Sequence, residues 1–286
     1  MIPSQSIVVG LILVFRNSTS YDRFWQGQNQ LTLIQTSVRN LTRSFLTCSY
    51  AADKPESPTE RAETEDIIRV LLAYIYAVKT HLRAEWGTVV PSTPSSPVLP
   101  NERDPILAVK LPRNSSFEDL LPQGVQSFEE QGLGLPQQLA VSVEAYIKRG
   151  FDRGWFHAPQ ASQLTVQLNT AVQAFSIMET IRITPIPVAY LIHIRQVLAL
   201  FGGVLPFAMV GEIGWWTVLV VSLVTFTLYG IEGIGQQLED PFGYDKNDIK
   251  MDNIIEDLRV EIMVLLDQWR IGGPMFKRGD SCRSTP

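Results

Sequence analysis

The sequence lacks the features that mark disulfide-rich proteins, nucleic-acid-binding proteins and the common enzyme families. Its two cysteines, Cys48 and Cys282, are far apart and show no metal-binding spacing, so a reduced, cytosol-facing bulk is predicted. The formal net charge is -5 and no basic cluster is interleaved with aromatic residues, which argues against nucleic acid as a partner. Catalytic signatures such as G-x-S-x-G, H-E-x-x-H and C-x-x-C are absent. We therefore predict that the protein is not an enzyme.

Hydrophobic residues make up 45% of the sequence and are concentrated in a few long runs. Two of these runs predict membrane helices over 190–210 and 214–235, since each nearly matches the length that crosses a ~30 Å hydrocarbon layer. The turn between them at 211–214 has no basic residue, and Trp215 and Trp216 suit the headgroup region. Basic residues flank the pair on both sides: Arg182, Arg195, Lys246, Lys250 and Arg259. The positive-inside rule therefore predicts that the turn faces away from the cytosol.

A further membrane helix is predicted over 4–25, where an apolar run ends at Phe15 and passes into polar sequence. Ile7, Leu11 and Phe15 recur every four residues, and Ser18 and Asp22 extend the same helical face. Such a stripe, apolar first and hydroxylic or acidic later, could line a pore. Lipid contact or core packing is the alternative for three large apolar residues at this spacing.

Residues 15–25, FRNSTSYDRFW, resemble the F-R-N-x-x-A/S-Y-D-R-W-W signature of the bestrophin-like channel family. Motifs similar to the second half of that family follow in the same order, namely Thr184-Pro185-Ile186-Pro187, Ala189-Tyr190, Leu205-Pro206-Phe207, Gly214-Trp215-Trp216-Thr217 and Glu239-Asp240-Pro241-Phe242-Gly243. Several motifs in the right order are more specific than any one of them. The resemblance implies an all-α integral membrane protein with a cytosolic helical portion.

The resemblance to bestrophins also implies a homopentamer in the lipid membrane that conducts chloride or other small anions through a central pore. In such a pore Ile7, Leu11 and Phe15 would form a hydrophobic neck, because a narrow apolar ring gates by resisting hydration. Some members of the family conduct cations, so the resemblance leaves charge selectivity open. It also leaves open the choice between plasma membrane and an organelle. The alternative function is a non-conducting, membrane-anchored scaffold whose Pro-rich loop recruits partners.

The family that this chain resembles has one more membrane helix upstream of the Ile7 helix. The basic residues after Phe15 predict that the Ile7 helix begins on the side of the membrane away from the cytosol. No signal peptide precedes Ile7 that would carry the N-terminus across the membrane. We therefore expect the native product to contain a further apolar helix before Met1. Stable oligomer formation is expected to require it, because a pore-lining helix needs neighbouring helices as a shield from lipid.

The rest of the chain is predicted to form cytosolic helices around a Pro- and Ser-rich insertion. Apolar residues recur at helical spacing over 26–46, 64–86, 137–182 and 252–269. The segment 137–182 is predicted to be a short helix over 139–149 and a longer one over 159–182. The insertion at 88–137 has no sustained period and suits either an extended polyproline stretch or a disordered loop. Residues 1–272 are therefore predicted to be a single channel domain, followed by a frayed tail at 273–286.

The acidic segment 239–248 is the one predicted site with cation chemistry. Calcium needs several oxygen ligands on a short bent segment, and Pro241-Phe242-Gly243 supplies the bend. By resemblance to eukaryotic bestrophins, the side chains of a calcium clasp fall at Gln237, Asp240, Asp245 and Asp248, of which the three aspartates are the candidate metal ligands. Lys246 stands where animal members are acidic, and capping of the helix ends is an equal alternative for this segment.

Overall fold

The computed structural model describes residues 2–49, 57–83 and 133–272, with side chains from Ser6 onward. Within these residues the protein consists of seven α-helices and no strand. The helices are α1 (Ile2–Cys48), α2 (Pro58–Leu82), α3 (Leu135–Asp152), α4 (Ala158–Ile183), α5 (Val188–Ile213), α6 (Trp216–Gln237) and α7 (Met251–Ile271). The all-α fold predicted from the sequence is confirmed for the described part of the chain.

Helix α1 runs without a break through the two segments that the sequence analysis separates into 4–25 and 26–46. No proline occurs between Ser4 and Cys48, and buried apolar residues keep a helical period from Val9 to Phe45. A helix of 47 residues spans about 70 Å at ~1.5 Å per residue, more than twice the thickness of a ~30 Å hydrocarbon layer. A membrane could therefore enclose only part of α1.

The segment 137–182, predicted as a short helix over 139–149 and a longer one over 159–182, contains α3 and α4, and a glycine terminates α3. Gly154 adopts a positive φ of 79°, a conformation that a residue without Cβ reaches at little cost. Its N–H donates to the carbonyl of Phe151, and the N–H of Trp155 donates to the carbonyl of Gly150 at 2.8 Å. These two bonds form a Schellman motif, which satisfies carbonyls at the end of the helix.

Helix α3 also begins earlier than predicted, at Leu135, inside the segment assigned to the insertion at 88–137. Pro136 lies in the first turn of α3, where its missing N–H costs nothing and its fixed φ suits a helix start. Helix α2 likewise starts at Pro58 rather than at residue 64, and the Glu60 carboxylate accepts a hydrogen bond from the N–H of Ser57. Three predicted segments lie outside the described residues. They are the rest of the insertion, the last three residues (84–86) of the predicted helix 64–86, and the tail at 273–286.

The chain divides into two compact units, the first comprising residues 1–32 and 176–250 and the second residues 33–175 and 251–286. The first unit has a buried apolar cluster in which Val9 and Leu13 of α1 pack with Ile194 and Leu198 of α5. Between helices in lipid, such side chains stabilise the contact by van der Waals packing and not by removal from water. This cluster holds the beginning of α1 against α5.

The second unit has its own core, built around a buried tyrosine. The ring of Tyr146 lies 4.9 Å from the ring of Phe45 and 5.8 Å from that of Trp155. Its hydroxyl is hydrogen-bonded to Ser49 at 2.8 Å and to Thr64 at 2.9 Å, and desolvation by burial raises the pKa of this phenol. The polar group at the centre of the core is therefore satisfied, as a buried hydroxyl must be.

Two helices, α5 and α6, are long and apolar enough to cross a membrane. In the most apolar part of each helix only 17% and 11% of the residues are buried within the chain. A core helix of this composition would be mostly buried, so the outward faces of α5 and α6 need lipid or another chain as cover. Helix α1 does not meet the same test of apolar length, and its crossing over 4–25 stays a prediction.

The link between α5 and α6 is shorter than the predicted turn at 211–214. Gly211 to Ile213 continue α5, and the chain reverses at Gly214, which has a φ of 55°. Trp215 follows with 93% of its surface exposed, and Trp216 begins α6 with 69% exposed. Two exposed tryptophans at the end of a helix pair are typical of a membrane interface.

Candidate ion pathway

Helix α1 buries one face in its own unit and leaves the opposite face exposed. Val9, Leu13, Arg16 and Ser20 are each 4% exposed or less. Residues four apart advance by only ~40° around a helix, so a four-residue spacing keeps side chains on one face. The exposed fractions of the three predicted neck residues are 70% for Ile7, 54% for Leu11 and 60% for Phe15. They form one exposed apolar stripe, and packing in the core of the chain is the wrong alternative for them.

The exposed face of α1 changes from apolar to polar after Phe15. Ser18 and Asp22 continue the stripe, and both side chains are exposed, as is that of Asn29 two turns further on. Burying a hydroxyl, an amide or a carboxylate in hydrocarbon without a partner costs several kcal/mol. A surface covered by lipid along its whole length therefore does not explain this face. The pattern fits a surface that excludes water along its apolar part, at Ile7 to Phe15, and contacts water along its polar part, from Ser18 onward.

Arg16 helps to fix which face of α1 is outside. Its side chain is 1% exposed, and its Nη2 atom lies 3.8 Å from a carboxylate oxygen of Glu232 and 3.6 Å from one of Glu239. Arg195 of α5 contacts the same Glu232 carboxylate, with 3.3 Å between Nε and Oε1. Removing one partner from a buried ion group is costly because it leaves the opposite charge uncompensated. The four charges therefore oppose rotation of α1 about its axis and keep the stripe exposed.

Arg23 anchors the same part of α1 by a second set of contacts. Its guanidinium donates to three backbone carbonyls: Nε to Glu239 at 3.2 Å, Nη1 to Thr184 at 2.7 Å and Nη2 to Ile181 at 2.5 Å. Ile181 lies in the last turn of α4 and Thr184 directly follows the helix, where carbonyls have no partner within the helix. The planar guanidinium has five donors in fixed directions and can satisfy all three carbonyls together.

The candidate calcium ligands lie at the end of α6 and in the turn after it, and three of their four side chains accept hydrogen bonds within this segment. Asp248 Oδ2 accepts the N–H of Asp245 at 2.7 Å, and Asp240 Oδ1 accepts the N–H of Phe242 at 3.3 Å. Gln237 Oε1 accepts a hydrogen bond from the Asn247 side chain at 2.8 Å. Across the described chain, no three His, Cys, Asp or Glu side chains are gathered as metal ligands would be. Two of these carboxylates accept backbone N–H groups, as the capping alternative expects, and the calcium clasp stays a prediction.

The described helices thus define a class of protein, an all-helical chain with two helices able to cross a membrane and an exposed stripe on a third.

The family model of the bacterial/fungal bestrophins matches residues 1–264. A voltage-dependent anion channel-forming protein of Nostoc sp. is 35% identical to this chain, and the match covers 90% of this chain and 74% of the relative. A protein of the same name from Synechocystis sp. is 32% identical, and that match covers 92% of this chain and 77% of the relative. A solved structure of a bacterial bestrophin homologue from Klebsiella pneumoniae matches with a TM-score of 0.72 and 21% identity, over 92% of this chain and 86% of that one.

The chain belongs to the bacterial/fungal bestrophin family, and it is an integral membrane protein. The resemblance seen in residues 15–25 and in the later motifs is confirmed by a match over almost the whole chain. The solved bestrophin structure supports the fold alone, because its identity to this chain is low. The family indicates an ion channel rather than an enzyme.

Proposed function

We propose that the chain is a subunit of a channel that conducts chloride or other small anions, and that the exposed stripe of α1 lines its pore. One observation carries this proposal: Ile7, Leu11 and Phe15 form an exposed apolar stripe that leads directly into exposed Ser18 and Asp22. The anion-channel names of the relatives from Nostoc and Synechocystis support the choice of anions.

In the proposed channel Ile7, Leu11 and Phe15 are the neck that controls hydration of the pore. An apolar side chain offers no ligand to an ion, so an ion can pass only where the pore is wide enough to keep its water. Three successive levels on one helix, each about 6 Å above the next, give a dry segment about 12 Å long. Small changes in the size of these side chains should therefore change conduction strongly.

A single stripe cannot enclose a pore, so several copies of the chain must surround it. Cyclic symmetry places the same face of every α1 toward one axis. We propose a homopentamer, in which five stripes form rings of five Ile7, five Leu11 and five Phe15 side chains. We propose that the bulk of the chain is cytosolic, which the basic residues after the neck support, in a plasma membrane or an organelle membrane.

The segment 237–248 is proposed to be a structural cap rather than a calcium sensor. Calorimetric titration of the purified protein with calcium should give no saturable heat, and chelator should not change its melting temperature. Asp248→Ala should lower stability by about 1 kcal/mol without calcium, since it loses the hydrogen bond from the N–H of Asp245. Saturable calcium binding that is lost in Asp245→Ala with Asp248→Ala would instead support the clasp.

Chloride efflux from liposomes tests the proposed function against the scaffold alternative. Purified protein is reconstituted into chloride-loaded liposomes, and a potassium ionophore is added so that charge can be balanced. The protein should release chloride much faster than it releases a large organic anion loaded in the same way, because the neck excludes bulky solutes. Efflux no faster than from protein-free liposomes would overturn the channel and favour the scaffold.

A further inference from the structure

Between Ser6 and Val38, the exposed face of α1 carries a single formal charge. Between Ser6 and Val38, the charged residues are Arg16, Asp22 and Arg23. Arg16 is buried beside two carboxylates, and Arg23 donates its hydrogen bonds to three backbone carbonyls. Asp22 alone of the three is exposed.

The position of Asp22 on α1 follows from its spacing to the neck. It comes seven residues after Phe15, which is almost two complete turns, so the two side chains lie on one line about 10 Å apart along the axis. Tyr21 and Trp25 stack beside it, with ring centroids 6.5 Å apart, and each is more than half exposed. Neither ring supplies an opposite charge to the Asp22 carboxylate.

We infer that Asp22 sets the charge preference of the pore by placing a ring of carboxylates directly beyond the neck. The inference rests on the proposed function, because the ring exists only if the α1 stripe faces the pore. The neck residues are apolar and state no preference for either sign of charge. A ring of like charges in a confined vestibule enriches the opposite ion and depletes its own sign. Asp22 therefore limits the preference of this channel for anions and admits cations beside them.

The range of this effect depends on salt in a predictable way. At about 0.15 M salt the Debye length is about 8 Å, so the carboxylate ring acts on ions across a vestibule of comparable radius. At about 1 M salt the Debye length falls to about 3 Å, and only ions touching the carboxylates are affected. A selectivity that Asp22 sets through its field should therefore fade as salt is raised.

Reversal potentials measured in potassium chloride gradients test the inference. Asp22→Asn removes the charge and keeps the shape, and it should raise the chloride-to-potassium permeability ratio about threefold or more at ~0.15 M salt. The change should shrink at ~1 M salt. Asp22→Glu should keep the wild-type ratio because it keeps the charge. Asp257→Asn, which neutralises an exposed aspartate on α7, is the matched control and should leave the ratio unchanged.

Two results would overturn the inference while leaving the proposed function in place. One is a chloride-to-potassium permeability ratio in Asp22→Asn equal to that of the wild type. If Asp22→Asn gives no current, Asp22→Ser serves as a second neutral variant for the same measurement. The other is a change that is equally large at both salt concentrations, which would point to a structural effect. Failure of the proposed function is distinguishable, because then the wild-type protein itself conducts no ions.

Discussion

Phe15→Ala should raise the conductance of the reconstituted channel on the order of tenfold, equivalent to lowering the barrier by about 1.4 kcal/mol. Phe15 is the last and largest of the three apolar side chains on the exposed stripe, and truncation to Cβ widens its ring and lets water enter. Leu11→Ala should act in the same direction with a smaller effect, because less volume is removed. Single-channel recording from purified protein in planar bilayers measures both.

The controls for the neck are equally exposed residues of the same type on another helix. Phe226 and Leu219 of α6 are 79% and 59% exposed, so Phe226→Ala and Leu219→Ala remove matching apolar surface from a candidate membrane span. Neither should change conductance. Equal effects in the two pairs would show that the truncations act through the lipid or through stability, and the neck assignment would then be wrong.

Arg23→Met should destabilise the protein by about 3 kcal/mol or more, although Arg23 touches no ion pathway. It removes the donor to three carbonyls, and a hydrogen bond from a charged group contributes about 1.5–3 kcal/mol. Arg23→Lys keeps the charge and reaches fewer carbonyls at once, so it should recover only part of the loss. Thermal unfolding in detergent, followed by tryptophan fluorescence, ranks the variants.

Arg39→Met is the matched control for the loss of an arginine from α1. Its side chain is 43% exposed and pairs with Glu261, which is equally exposed, so its removal should cost no more than about 1 kcal/mol. If Arg23→Met and Arg23→Lys unfold at the temperature of the wild type, the three carbonyl contacts do not stabilise the protein. The account of how α1 is held would then fail, while the pore proposal would remain open to its own tests.

Local sequence signals predicted the helices well because each signal acts within a few residues. The apolar period predicted α1, whereas Pro58 and Pro136 were not recognised as helix starts, so the predicted helical segments began at 64 and 137. The errors also have local causes. The predicted turn at 211–214 treated Gly211 as a helix end, but a glycine within an apolar run can continue a helix, and only Gly214 adopts positive φ.

Contacts between distant residues were beyond the reach of the sequence. Arg16 and Arg23 are among the basic residues after Phe15 that predict the orientation of α1. Nothing in their spacing indicated ion pairs of Arg16 with Glu232 and Glu239, or hydrogen bonds from Arg23 to the end of α4. The signal that was available is general: ionisable residues beside membrane helices are costly and usually have partners. A carboxylate pattern likewise does not show which backbone N–H groups donate to its oxygens, as those of Asp245 and Phe242 do here.

The most direct measurement of the central claim, that the exposed face of α1 lines a water-filled ion path, is modification of Ser18→Cys by a charged, membrane-impermeant thiol reagent. The variant is made with Cys48→Ser and Cys282→Ser so that a single thiol remains, and Ser222→Cys on α6 provides an exposed serine of a candidate membrane span as the control. The account predicts that the reagent irreversibly changes the current through Ser18→Cys and leaves that through Ser222→Cys unaffected. An unchanged current through Ser18→Cys, with the current through Ser222→Cys altered, would contradict it.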